Sequence, residues 1–141
     1  LKERLNSIFL EKSSDSLLVT FMSFGFKYGS PREADLVFDV RCLPNPFYIP
    51  ELKPLTGLDV EVREYVLQFE ESQEFIKRIT NFLDYAMPLY QKEGKSEVVV
   101  AVGCTGGKHR SVTLARTFNN HFLEKGYKST VHHRDIWKTN N

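Results

Sequence analysis

The hydrophobic pattern alternates between strand-like apolar runs and amphipathic helical stretches. Nearly continuous apolar, β-prone runs at 17–22, 36–38 and 98–102 predict strands buried on both faces of a sheet, and 129–133 predicts a last strand. Between them, apolar residues recur at helical spacing in 59–69, in 72–93 and beyond residue 110. This order predicts a single α/β domain whose mainly parallel sheet is covered by helices on its faces.

Polar residues, glycines and prolines mark the ends of these elements. Asp59 and Ser72 are predicted N-caps of the first two helices, while Gly94 and Gly126 are predicted stops for the second and third. The segment 39–50 contains three prolines, which exclude a regular helix and predict a stiff extended stretch.

Length and composition set the domain organisation. The 141 residues, 41% of them hydrophobic, suffice for one core, which we place in a ligand-binding α/β domain at 17–136. Residues 1–16 are typical of a linker left by a missing N-terminal domain, and 137–141 form a polar tail. No apolar run approaches the ~20 residues of a membrane span, and no signal peptide is evident, so we expect a cytoplasmic protein that contacts no membrane.

The charge distribution is uneven although the formal net charge is only +1. Residues 108–141 carry seven Lys or Arg against two Asp or Glu, and all four histidines, whereas 59–97 carry five against nine. A basic end of the fold would attract phosphates or nucleic acid, although a solvated basic surface has the same composition. The two cysteines, Cys42 and Cys104, lack zinc-site spacing and are expected to be free thiols, so no metal or cofactor is predicted.

The main candidate for chemistry is the loop between the 98–102 strand and the third helix, Gly103-Cys104-Thr105-Gly106-Gly107-Lys108-His109-Arg110-Ser111. Its glycines allow close backbone approach, and the helix N-terminus with Lys108 and Arg110 favours an anion, most simply a phosphate. The spacing differs from a Walker A loop.

The same loop supports a second hypothesis. Cys104, Arg110 and Ser111 match the C-x5-R-[ST] pattern of cysteine phosphatases, in which the thiolate attacks phosphorus and the arginine binds the phosphoryl oxygens. Asp39, at the end of a neighbouring strand, would then be the general acid. Gly103 stands where those enzymes commonly have histidine. A third hypothesis is a purely structural oligomerisation domain.

Five strings, in order from residue 23 to residue 111, resemble the C-terminal domain of the RapZ/YvcJ family: Ser23-Phe24-Gly25-Phe26-Lys27-Tyr28-Gly29, Val37-Phe38-Asp39-Val40-Arg41, Leu43-Pro44-Asn45-Pro46, Thr56-Gly57-Leu58-Asp59 and the loop 103–111. The resemblance implies a non-enzymatic sensor and adapter that binds glucosamine-6-phosphate and a small RNA in the control of amino-sugar metabolism. Full-length members carry a separate P-loop nucleotide-binding domain, so we expect this chain to be a C-terminal fragment. We also expect a homo-oligomer and a protein partner.

Ligand-binding residues follow from the matched motifs. The resemblance implies contacts from Asp39, Arg41, Asn45, Thr105, Gly106, Gly107, Lys108, His109 and Arg110. Thr105, Gly106 and Arg110 would bind the phosphate, while Asp39 would face the sugar amine or hydroxyls.

Two departures from the family pattern bear on these expectations. Some RapZ proteins have Asn-Pro-His-Trp where this chain has Asn45-Pro46-Phe47-Tyr48, so an imidazole contact is absent here. The RNA-binding members end in a lysine- and arginine-rich tail, whereas residues 132–141 contain only two full positive charges, so any RNA binding is expected to be weak.

Overall fold

The computed structural model describes residues 17–138, so the predicted linker at 1–16 and the last three residues of the tail lie outside the described part. Within it the chain forms four strands, three α-helices and two short 3-10 helices. The strands are β1 (Leu18–Gly25), β2 (Leu36–Asp39), β3 (Glu97–Cys104) and β4 (Lys128–His133). The α-helices are α1 (Val60–Leu67), α2 (Glu70–Glu93) and α3 (Arg110–Glu124), and the 3-10 helices are Phe26–Tyr28 and Pro46–Tyr48.

The strands form one parallel sheet in the order β2-β3-β1-β4. Gly25 pairs with Cys104 across β1 and β3, and Asp39 pairs with Gly103 across β2 and β3. The carboxyl ends of these strands therefore meet at one edge of the sheet, where ligands bind in open α/β folds. The predicted α/β class and parallel sheet are confirmed.

The three described helices share one hydrophobic core with a single face of the sheet. Val19, Phe21, Val98, Val100 and Val102 point to that face and pack in the same cluster as side chains from all three helices. The helical members are Val62, Val66, Ile79, Leu83, Met87, Leu114, Ala115, Phe118 and Phe122. The expectation of helices on both faces is therefore wrong for the described helices. The two helical connections, from β2 to β3 and from β3 to β4, run in the same direction across the sheet, so right-handed crossovers place their helices on the same face.

The 36–38 run also differs from expectation, because β2 is an edge strand rather than a central one. Its residues alternate between half-buried and exposed, and Val37 is 46% exposed. Only β1 and β3, which have neighbours on both sides, match the predicted central strands. A continuous apolar run of three residues cannot distinguish a central strand from an edge strand.

Two predicted helix starts require correction in detail. Helix α2 begins at Glu70 rather than after Ser72, which lies buried in the first turn with no hydrogen-bond partner for its hydroxyl among the described residues. Acidic Glu70 and Glu71 stabilise this end through the helix dipole. Asp59 does precede α1, but its carboxylate accepts from the backbone N–H of Thr56 instead of a helix N–H.

The proline-rich segment is less extended than predicted. Pro46–Tyr48 forms a 3-10 helix, with Pro46 in the first turn and Asn45 Oδ1 accepting from the N–H of Phe47. A proline at a helix start loses no hydrogen bond, because that N–H would have no partner within the helix.

The predicted helix stops and free thiols are confirmed. Gly94 directly follows α2 with φ of 105°, and Gly126 lies two residues beyond the end of α3 with φ of 89°, a left-handed conformation that favours glycine. Cys42 and Cys104 are unpaired, the first exposed and the second buried.

In the described part of the chain, no helix combines the length and apolar character that crossing a membrane requires.

Candidate anion-binding site

The 105–109 loop connects β3 to α3 and lies against the end of β1. A Cβ on Gly25 would be only 2.5 Å from the carbonyl carbon of Gly106, and one on Gly107 would be 2.7 Å from the nitrogen of Gly25. Gly107 also has φ of 80°, which a residue with a side chain rarely adopts. Glycine at 25 and 107 therefore allows two backbone segments to pack in direct contact.

Asp135, two residues beyond β4, holds the end of β1 in this position. Its carboxylate is fully buried and accepts a 2.8 Å hydrogen bond from the N–H of Gly25. Arg134 and Lys138 lie 2.9 and 2.7 Å from the same carboxylate. Burial raises the pKa of Asp135, but the hydrogen bonds from Arg134, Gly25 and Lys138 outweigh it, so the group is ionised and paired.

Arg110, the first residue of α3, ties the loop to the chain that follows β2. The guanidinium is 4% exposed, and its Nη1 donates to the carbonyls of Arg41 and Leu43 at 2.8 and 3.1 Å. Its Nη2 lies 3.5 Å from Thr105 Oγ1, and Nε has no partner among the described residues. Arg110 therefore retains donor capacity in a buried setting, which an anion would satisfy.

Backbone donors are also available in the loop. Among the backbone hydrogen bonds of residues 17–138 outside helices and strands, none is donated by Gly106, Gly107 or Lys108, although the Lys108 carbonyl accepts from Gly57 at 2.8 Å. The first N–H groups of α3 follow directly, and they have no acceptor within the helix. The loop and the helix N-terminus thus present a set of donors that favours an anion.

His109 connects the loop to the 53–57 segment. Its ring is buried, and Nε2 lies 3.2 Å from the carbonyl of Lys53. Burial lowers the pKa of His109, hydrogen bonds to the backbone of Leu55 and Lys53 oppose this, and nearby Lys108 and Arg110 lower it further. The imidazole is therefore neutral at pH 7 and donates to one of these carbonyls.

These segments enclose a cavity of about 500 Å³. Its lining combines the loop with the turns after β1 and β2, and it consists of Lys27, Asn45, Phe47, Tyr48, Pro50, Lys53, Pro54, Cys104, Thr105, Gly106, Lys108, His109 and Arg110. The lining combines cationic side chains with aromatic rings and prolines. The volume is typical of a small-molecule site.

The structure brings six of the nine predicted ligand residues to this cavity: Asn45, Thr105, Gly106, Lys108, His109 and Arg110. Gly107 belongs to the loop but packs against Gly25 instead of lining the cavity. Asp39 and Arg41 lie beside the cavity and bind each other, with Arg41 Nη2 2.7 Å from Asp39 Oδ2. The hydrogen bonds from Arg41 lower the pKa of Asp39 below its ordinary value, and the charge of Arg110 acts in the same direction.

Cys104 also lines the cavity, with Sγ 3.1 Å from Ser111 Oγ. The thiol is 3% exposed. A side chain at Gly103 is excluded, because its Cβ would lie 2.4 Å from the ring of Phe24. Histidine therefore cannot occupy this position without moving the Phe24 and Phe26 rings, which pack edge to face.

Several residues of the site were not among the predicted ligands. Lys27, Lys53, Phe47 and Tyr48 line the cavity, and Asp135 supports it from behind. The single lysines carry no local signal, but the glycine-flanked Phe26–Tyr28 turn and the proline-rich segment both follow a strand, which is where α/β proteins place binding loops.

Together these features define an α/β domain with a candidate anion-binding loop at the carboxyl ends of its parallel strands. The family model described as the RapZ C-terminal domain matches residues 17–137. The chain therefore belongs to the RapZ C-terminal domain family, which confirms the resemblance seen in its motifs.

Similar proteins are named nucleotide-binding protein. The one from Thermoanaerobacter sp. strain X514 is 53% identical over 137 residues, which cover 96% of this chain and 48% of the relative. One from Caldanaerobacter subterraneus subsp. tengcongensis has the same identity and coverage. One from Bacillus cytotoxicus is 52% identical over 138 residues, covering 98% of this chain and 47% of the relative. The chain thus spans about half the length of the curated relatives it matches.

The contact between Gly25 and the loop predicts a large effect for Gly25→Ala. Because the new methyl group would meet the backbone of Gly106, we expect the free energy of unfolding to fall by about 1–3 kcal/mol, as for other overpacked sites. Gly106→Ala is the matched control, since its Cβ meets nothing within 4 Å, and we expect no loss of stability. Urea denaturation followed by circular dichroism measures both. Equal losses of stability in the two variants would contradict the close packing of the loop against the end of β1.

Proposed function

We propose that this domain is a regulatory sensor, acting in the cytoplasm, that binds a phosphorylated amino sugar of the glucosamine-6-phosphate kind. The observation that carries the proposal is the cavity at the 105–110 loop, where cationic side chains and available N–H groups meet an aromatic surface. The family supports a regulatory domain of this kind, and the contacts of the site support the ligand class.

The phosphate half of the ligand follows from the donors. Lys108 and Arg110 stand at the N-terminus of α3, next to the loop N–H groups. Charge-assisted hydrogen bonds to phosphate oxygens are stronger than those between neutral groups. Because Arg110 is buried and already anchored to two carbonyls, its orientation exists before the ligand binds, which reduces the entropic cost of binding.

The organic half follows from the size and the apolar side of the cavity. About 500 Å³ exceeds what a phosphate group alone fills. Phe47 is 39% exposed and Tyr48 is 77% exposed, and both line the cavity beside Pro50. Their rings offer a surface for the apolar face of a sugar. The relatives are named for binding nucleotides, which also carry phosphate groups.

Binding is favoured over catalysis by the state of Asp39, the carboxylate predicted as the general acid of a phosphatase. A phosphatase needs a protonated acid for the leaving group. Asp39 is held ionised by Arg41, and no Asp or Glu is among the described residues that line the cavity. A neutral His109 bonded to backbone is equally unsuited as a proton donor. We therefore propose a sensor without enzymatic activity.

Partners belong to the same proposal. A protein partner or other subunits of a homo-oligomer would respond to ligand binding in the cavity, and a small RNA would contact the basic end of the fold. Within the described residues, the two full positive charges after β4, Arg134 and Lys138, are both paired with Asp135. Few cations therefore remain there for a phosphate backbone, which limits RNA to a weak role.

Loss of a loop cation tests the ligand site. We expect Lys108→Met to weaken binding of glucosamine-6-phosphate by roughly ten- to a hundredfold, because a hydrogen bond to a charged group contributes about 1.5–3 kcal/mol. Lys108 is preferable to Arg110, whose removal would also free two backbone carbonyls.

The matched control is Lys128→Met, which removes the same charge from an exposed position at the amino end of β4, remote from the cavity. Isothermal titration calorimetry with glucosamine-6-phosphate, sulfate and UDP-N-acetylglucosamine compares the two variants. Equal affinities in both variants would contradict a phosphate site at the loop.

RNA binding is expected to depend steeply on salt. With only two or three phosphates neutralised, the association constant should fall by about tenfold between 50 and 200 mM salt, through counterion release. Filter binding with a labelled RNA hairpin at several salt concentrations measures the slope. Tight binding that persists at high salt would reveal a recognition surface outside the basic end described here.

The short distance between Cys104 Sγ and Ser111 Oγ, 3.1 Å, is the one observation that favours a cysteine phosphatase, since it brings the cysteine and the hydroxyl of the C-x5-R-[ST] pattern together beside the cavity. We expect the wild-type protein to leave p-nitrophenyl phosphate unhydrolysed, because no protonated carboxyl group lies among the described residues that line the cavity. Cys104→Ser is the control for any turnover observed. If the wild-type protein hydrolyses the ester and Cys104→Ser abolishes this activity but still binds phosphate, the domain is a phosphatase and the sensor proposal is wrong.

A further inference from the structure

Helix α2 carries apolar side chains on two separate faces. Its first face belongs to the hydrophobic core beneath the sheet. On the second face, roughly a third of a turn away, Phe82, Tyr85 and Leu89 are between 44% and 71% exposed. Residues three, four and seven apart lie along one side of a helix, so these three side chains form a continuous line. A helix that only covers a core needs one apolar face, so the second face indicates an interaction surface.

The spacing of this line continues toward both ends of α2. Steps of four and three residues alternate along it, which is the spacing of the contact seam between two helices in a coiled coil. We call this line the α2 stripe, and its members are Glu71, Phe75, Arg78, Phe82, Tyr85, Leu89 and Lys92.

The middle of the α2 stripe is held in place by the sheet. The Phe82 ring lies 6.5 Å from the ring of Phe38 in β2, with the two planes inclined at 75°. Edge-to-face packing of this kind stabilises an aromatic pair beyond the area it buries. The stripe is therefore presented on a helix whose position is fixed before any partner binds.

The charges of the α2 stripe are arranged unevenly along the helix. Acidic Glu71 lies near the amino end, while basic Lys92 lies near the carboxyl end. If a second copy paired its stripe in the parallel direction, each of these side chains would face its own like charge. An antiparallel pair with Phe82 opposite Phe82 instead brings Glu71 of one copy opposite Lys92 of the other, twice because of the two-fold axis.

The inner positions match in the same antiparallel register. Phe75 comes opposite Leu89, which joins two apolar side chains. Arg78 comes opposite Tyr85, where a guanidinium over an aromatic ring is favourable. Every member of the stripe thus meets a compatible member of the same stripe, which is the requirement for an interface between identical chains.

We infer that the α2 stripe is a dimer interface between two copies of this chain, with their α2 helices antiparallel about a two-fold axis near Phe82. The inference rests on the homo-oligomer of the proposed function and gives it a specific surface. It does not depend on which ligand the loop binds. A second copy is favoured over a different protein because the apolar and charged members of the stripe complement each other.

A charge placed in the middle of the stripe tests the interface. Tyr85→Arg would bring an arginine opposite Arg78 of the second copy, at a position exposed enough to leave the fold intact. We expect it to raise the dimer dissociation constant at least about tenfold, as the loss of a central aromatic side chain does in other interfaces. Sedimentation velocity at micromolar protein concentrations measures the constant, and circular dichroism checks that the fold is retained.

The matched control is Leu123→Arg, which places the same charge on an exposed leucine of α3, outside the stripe. We expect its dissociation constant to equal that of the wild type. A dimer that Tyr85→Arg leaves unchanged would overturn the inference while keeping the homo-oligomer. A wild-type chain that stays monomeric would overturn both and assign the stripe to a different protein. Titration of Tyr85→Arg with glucosamine-6-phosphate keeps the loop separate, since we expect its affinity to be unchanged.

Disulfide crosslinking tests the antiparallel register. In a Cys42→Ser background, which removes the exposed thiol, Phe82→Cys places two cysteines across the two-fold axis. Lys92→Cys places them roughly 30 Å apart in the antiparallel pair, because twenty helical residues separate the two positions along the axis. We expect mild oxidation to crosslink the first variant and not the second, as seen on a non-reducing gel. Equal crosslinking of both variants would indicate a parallel pair and overturn the inference.

Discussion

The site depends on the contact between the end of β1 and the loop that follows β3. Because glycine at 25 and 107 brings two backbones together without side chains between them, the loop is fixed by main-chain atoms. Asp135 completes this contact by accepting from the Gly25 N–H in a fully buried position, with two cations neutralising it. A buried carboxylate without such partners would be costly, so the segment after β4 is part of the support of the site.

The loop is anchored on its other side by His109 and Arg110, the N-cap and the first residue of α3. Arg110 donates to carbonyls after β2, and His109 reaches the carbonyl of Lys53. These bonds satisfy groups that would otherwise be buried without partners. They also position the cavity's donors before any ligand is present, so ligand binding requires little ordering of the loop.

The electrostatic character of the cavity distinguishes binding from catalysis. The same strand–loop–helix arrangement with Cys104, Arg110 and Ser111 would suit a phosphatase if a protonated acid faced it. Arg41 instead holds Asp39 as a carboxylate, and the described lining contains cations, amides and rings. An anion at the loop would then meet no protonated carboxyl group among the described lining residues. The charge pattern thus favours binding over catalysis.

The sequence by itself determined the parallel α/β class, the two central strands and the position of the glycine-rich loop. These follow from local patterns: apolar runs in 17–22 and 98–102, glycines after helices, and glycine and basic residues between a strand and a helix. Only the tertiary structure placed β2 at the edge and the described helices on one face, because the order of strands depends on packing between distant segments. It also brought Lys27, Lys53 and Asp135 to the site and paired Asp39 with Arg41, since contacts across many residues leave no signal in a local pattern.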